Sequence, residues 1–135
     1  MIEVRDSHYP LVSIKFEGVV ALVETESYLG RLNEWLAREQ PFALMMDRTN
    51  PERGEDPEEG KQSHAAIISW SKQNKERMAQ YCAGMAIVED LSRISERQQQ
   101  TLPKTLNLLF GCPGQLFSNT TDAEQWLRQQ LKTFS

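Results

Sequence analysis

The chain is poor in the residues that most enzymes, metalloproteins and membrane proteins rely on. It has two cysteines and two histidines in 135 residues. Cys82 and Cys112 show no CxxC spacing, so two buried free thiols are expected rather than a disulfide or a redox pair. His8 and His64 belong to no HExxH or Cys/His pattern, so no zinc site is expected. GxSxG, GxGxxG and Walker sequences are all missing, and no cofactor is expected. No apolar run approaches the ~18 residues of a membrane span. The opening MIEVRDSHYP carries charges where a signal peptide needs its apolar stretch. A cytoplasmic protein is the expectation. There is no basic surplus either: the net charge is −4, which argues against nucleic acid as a partner. Lys72, Lys75 and Arg77 are interrupted by Glu76 and read as a solvated helix face.

What remains is ordinary for a soluble domain, with 39% hydrophobic and 25% charged residues. The length suits one domain spanning residues 1–135. Ile2 and Val4 alternate with charged residues, as do Val12, Ile14 and Phe16, so two strands are expected to form an antiparallel hairpin across a His8-Tyr9-Pro10 turn. From near Thr25, the residues Tyr28, Leu29, Leu32, Trp35 and Leu36 recur at helical spacing. Phe42–Met46 is uniformly apolar, as a central parallel strand should be. A polar loop over 48–60 follows. A helix from Lys61 carries Ile67, Ile68, Ser71, Met78, Ala79 and Cys82 roughly on one face, with Trp70 and Tyr81 beside it, and Gly84 suits its C-terminal cap. Met85–Val88 reads as another strand. Pro103 predicts a kink, or a break with the proline in the first turn of a second helix. Gly111–Gly114 is a turn, Gln115–Phe117 a last strand. Thr121-x-x-Glu124 reads as the capping box of a final helix with Ala123, Trp126, Leu127, Leu131 and Phe134 inward. The order β-β-α-β-α-β-α-β-α implies an α/β fold of about five strands, mainly parallel, with right-handed crossovers and about four helices.

In such sheets ligands bind where strands hand over to helices. The candidates there are Asp47, as a ligand-holding carboxylate or a turn cap, and Arg48 with Arg53, as an anion site at a helix N-terminus. Glu52, Glu55, Asp56, Glu58 and Glu59 crowd the same region and oppose an anion. Glu89 and Asp90 end the next strand, and with Asp47 they offer three carboxylates for acid–base work or a cation. Ser63 and His64 are adjacent on a helix and do not face each other, so they are no nucleophile–base pair. Trp70, Met78 and Tyr81 either complete the core or line a cavity, a homodimer interface or a membrane-facing lid.

Several segments together resemble the STAS/SpoIIAA-like family, and more closely its small single-domain bacterial branch. They are the hairpin ending Phe16-Glu17-Gly18, the FALMMD strand, and Trp70-Ser71-Lys72-Gln73-Asn74-Lys75-Glu76 running into Tyr81-Cys82-Ala83-Gly84-Met85-Ala86. Leu116-Phe117 followed by Asp122-Ala123-Glu124-Gln125-Trp126-Leu127 also fits. The resemblance spans nearly the whole chain and implies a SpoIIAA-like sheet without catalytic activity. It also implies one of two uses. The first is a binding or regulatory module in which a mobile helix from Lys61, with Ile67, Ile68, Trp70, Ser71 and Met78, covers an apolar, lipid-like ligand or meets a partner protein or a membrane surface. The second is an anti-sigma-factor antagonist switched by phosphorylation. Asp47-Arg48-Thr49-Asn50 departs from the Asp-Ser-Ser-Gly of such switches, which leaves Ser63 or Thr49 as the acceptor. A small acid–base enzyme using Asp47, Glu89 and Asp90 is the third reading.

Overall fold

The computed structural model describes residues 1–17, 21–49 and 57–134. Ile2–Arg5 (β1) and Leu11–Phe16 (β2) pair antiparallel, with Ile2 opposite Phe16 and Arg5 opposite Ser13. Phe42–Asp47 (β3), Cys82–Val88 (β4) and Gly114–Phe117 (β5) add in parallel, so a five-stranded sheet runs β1-β2-β3-β4-β5. Leu22–Ala37 (α1), Pro57–Tyr81 (α2) and Glu96–Phe110 (α3) connect the parallel strands, and Thr120–Thr133 (α4) follows β5. The element order and the mixed sheet are those the sequence implies.

Strand order never reverses. Three crossovers of one hand that all advance in the same direction must lie on one face of the sheet. Accordingly α2 packs between α1 and α3, while α4 packs against β3, β4 and β5. The strands divide their side chains in step. Val12, Ile14, Phe16, Phe42, Leu44, Met85 and Ile87 enter the larger core with Tyr28, Leu32, Trp35 and Leu36 of α1. Ala43, Met45, Ala86 and Val88 form a smaller core with Ala123 and Leu127 of α4. This explains why β4 is buried at all seven positions and β2 only at alternate ones: α4 reaches the middle of the sheet and not its β1–β2 edge.

Several local expectations need correction. α1 begins at Leu22 rather than near Thr25. Its start is signalled by Glu24, whose carboxylate accepts from the N–H of Ala21 at 3.3 Å and of Ile2 at 2.7 Å. α2 starts at Pro57 and not at Lys61, consistent with proline's preference for the first helical turn. Gly84 is no helix cap. The chain passes from Tyr81 directly into β4, and a Cβ on Gly84 would stand 3.2 Å from the indole of Trp126. Pro103 neither breaks α3 nor starts a helix; it lies inside, and the true start is Ser95, whose hydroxyl accepts from Gln98 N–H at 3.2 Å while the Gln98 side chain accepts from Ser95 N–H at 3.1 Å. α4 is capped by Asn119, which accepts from Asp122 N–H at 2.8 Å, while Glu124 instead pairs with Arg128 at 2.6 Å. The Gly111 turn is as expected: φ is +74°, and its N–H closes α3 on the Asn107 carbonyl at 2.8 Å.

Candidate functional site

The C-terminal ends of β3 and β4 separate residues that are neighbours in sequence. Asp47 ends β3, and its Oδ1 accepts from the N–H of Thr49 at 3.1 Å and from the Thr49 hydroxyl at 2.6 Å. That is a turn-capping carboxylate. Asp47 lines a groove on the β1–β2 part of the sheet with Arg5, Ser13, Lys15, Met45 and Glu124. Arg48 extends the ladder by donating its N–H to the Val88 carbonyl at 2.8 Å. Its side chain lines a different cavity.

That second cavity is the candidate site. Glu89 follows β4 and is held by its N–H on the Phe117 carbonyl at 3.0 Å. Its side chain is only 7% exposed, with Oε2 3.7 Å from Arg48 Nε. Asp90 turns away to cap the short 3-10 turn Leu91–Arg93, accepting from Ser92 N–H at 3.0 Å and from the Ser92 hydroxyl at 2.6 Å. Those bonds from Ser92, with Arg93 nearby, hold the Asp90 carboxyl below the usual carboxylate range. The Gln99 amide donates to the carbonyls of Leu91 and Ile94, both at 3.1 Å, and ties the turn to α3. Together these elements enclose about 270 Å³ between Arg48, Glu89, Arg93 and Ile94 on one side and Gln98, Thr101, Leu102 and Thr105 of α3 on the other. Arg48, Glu89 and Arg93 also hold further contacts within the fold. The Thr101 and Thr105 hydroxyls donate back to carbonyls of their own helix.

The other singled-out residues lie elsewhere. Ile67 and Ile68 are half-buried on α2. Trp70 is buried, donates Nε1–H to Asn33 Oδ1 at 2.9 Å, and tilts against Phe110. Ser71 and Met78 are fully buried, with the Ser71 hydroxyl bonded to the Ile68 carbonyl. Much of the α2 stripe is therefore core. Ser63 is also buried, and its Oγ accepts from the Thr25 hydroxyl at 3.0 Å across the α1–α2 contact. A phosphate on Ser63 would have to part those helices, and one on Thr49 would lie beside the Asp47 carboxylate. His64 is exposed. Arg53, Glu52, Glu55 and Asp56 lie outside the described residues. Cys82 and Cys112 are free and buried, and hydrogen bonding to Cys112 together with burial pushes the Cys82 thiol well up. Cys82 is therefore unreactive as a thiolate nucleophile.

Sequence reasoning found Arg48 and the strand-end Glu89 but missed Arg93 and the α3 wall. The Ser95-x-x-Gln98 box was the available signal, since it fixes where α3 starts and which of its side chains face the rim. Among the described residues, no group of three or more His, Cys, Asp and Glu side chains is placed to hold a metal ion, and no helix is long and apolar enough to cross a membrane.

No family model and no curated protein matches the chain. Among solved structures it is similar to an uncharacterized protein of the DUF3478 family with a SpoIIAA-like fold, from Shewanella loihica PV-4. The TM-score is 0.61 over 94% of this chain and 92% of that one, at 16% sequence identity. With the sheet order and helix placement above, that likeness shows that the chain has a SpoIIAA-like fold.

Proposed function

We propose that the chain is a non-catalytic binding and regulatory module that takes a small, partly apolar ligand in the rim cavity between Arg48, Glu89 and α3. The cavity itself is the observation that carries this reading: it joins a buried carboxylate and two guanidinium groups to an apolar wall of Ile94 and Leu102. Such a mixture of apolar surface and a few fixed polar groups is what small-molecule sites offer. Its volume favours a ligand of metabolite size over a long lipid chain. The divergence of the carboxylates supports recognition over chemistry. Asp47 serves a turn on the other side of the sheet, Glu89 faces Arg48, and Asp90 caps Ser92. An acid–base site built on these three carboxylates would need them to converge on one substrate, which they do not.

α2 remains the element that would pass occupancy on. It packs against α3, which forms the cavity wall, so a ligand that moves α3 presses on the face carrying Ile67, Ile68 and Trp70. A partner protein or membrane surface would read the change at the half-buried margin of α2, at Ile67 and Ile68. The test is amide NMR with a panel of small amphipathic acids, amides and alcohols, run beside Trp70 fluorescence with liposomes. Saturable shifts confined to residues 89–105 are expected. A panel that moves none of those amides, or liposomes alone producing the response, would overturn the rim site.

A further inference from the structure

We infer that β1 is a docking strand for a second copy of this chain, the two β1 strands pairing antiparallel about a two-fold axis at Val4. Among the described residues, no strand pairs with the outer side of β1. The Glu17 N–H bonds to the Met1 carbonyl at 2.7 Å. Antiparallel bonding alternates, so Met1, Glu3 and Arg5 bond towards β2, while Ile2 and Val4 turn their N–H and C=O groups outward. The Ile2 N–H is already taken by the Glu24 carboxylate at 2.7 Å. Val4 is left to offer both a donor and an acceptor on the open edge. Charge then selects the register. Setting Ile2 against Val4 of the second copy would need the engaged Ile2 N–H and would place Glu3 opposite Glu3. Centring the pair on Val4 needs only the Val4 groups and places Glu3 opposite Arg5 in both directions. Those are the non-hydrogen-bonded sites, where side chains come closest. Within one chain Arg5 Nε already stands 3.1 Å from Glu3 Oε1, and both side chains are exposed. Two such pairs brought together form a ring of alternating charge. A two-fold interface must be self-complementary, and Glu3-Val4-Arg5 meets that condition. Ile2 and Val4 pack on the larger core, so Glu3 and Arg5 project from the other face, where α4 packs against β3, β4 and β5. The contact is short, so the association is weak and concentration-dependent.

The test is sedimentation velocity of the full chain from micromolar to millimolar concentration, with charge-reversal variants. The wild type should pass from monomer towards dimer as concentration rises. E3R sets arginine against arginine across the axis, and R5E sets glutamate against glutamate. Each should weaken self-association by about tenfold or more, because like charges placed opposite one another oppose pairing. An equal mixture of E3R and R5E should associate again, since the arginines of one variant then face the glutamates of the other. That recovery cannot come from the contact within one chain, which both variants lack. The double variant E3R/R5E should self-associate like the wild type and yet form no mixed dimer with it, a readout that stands even if a single variant fails to fold. A wild type that stays monomeric to millimolar concentration would overturn the inference. So would single variants that associate as the wild type does, a mixture of folded E3R and R5E that stays monomeric, or a double variant that mixes freely with the wild type.

Discussion

Gly84 shows how one side chain can be misread without its neighbours in space. Its position after an apolar helical stripe suits a cap, yet it lies in β4 with the Trp126 rim 3.2 Å from where a Cβ would be. The glycine is needed for the close approach of α4, not for a left-handed turn. Gly84→Ala should therefore destabilise by about 1–2 kcal/mol, the range of mild overpacking, as measured by urea denaturation. Trp126→Leu should recover most of that loss in the double variant. An alanine tolerated without loss would show that the indole moves aside freely. Trp70 carries the same lesson in the other direction. Periodicity leaves it at the margin of its helix, whereas its ring reaches Phe110 and its N–H reaches Asn33.

At the scale of elements, α3 holds the clearest conflict between local and global preference. Pro103 cannot donate to the carbonyl one turn earlier and is unfavourable inside a helix by ~3 kcal/mol, yet α3 runs unbroken from Glu96 to Phe110. Its ends explain this. Ser95 and Gln98 cap one end and Gly111 the other, while Leu106 and Phe110 are buried in the larger core. Tertiary burial and two good caps outweigh one bad residue. Pro103→Ala should raise stability by about 1–3 kcal/mol, read as an increase in urea midpoint at constant slope. A loss instead would mean that the proline shapes α3 for β5, whose Gly114 leaves no room for a Cβ beside Leu106 Cβ, 2.6 Å away.

On the scale of the whole molecule, the two faces are unequal. Three helices build the core on one face, and α4 alone builds the core on the other. Both cores share β3 and β4, so they should unfold together. Leu127→Ala, in the smaller core, should cost about 2–4 kcal/mol. It should lower a single transition seen alike by fluorescence and far-UV circular dichroism. Two separated transitions would sink the single-domain reading. The sequential strand order has a functional consequence too. Such a sheet has no place where crossovers diverge, the usual ligand crevice of open α/β sheets. Its rim cavity is made instead by a short turn and the flank of α3.

The sequence by itself determined the element order, the central strands and the inward face of α1. Period-two and helical spacing are properties of neighbouring residues, and burial on both faces leaves a strand such as Phe42–Met46 uniformly apolar. Tertiary structure alone decided that Asp47 and Arg48 open onto different cavities, since successive strand-end residues point to opposite faces. Packing across non-adjacent elements also placed Trp70, Ser71 and Met78 inside. Glu89 and Arg48 lie far apart in sequence and meet only because β3 and β4 are hydrogen-bonded neighbours. A rim site of this kind is built from pairings between strands, which no window along the chain contains.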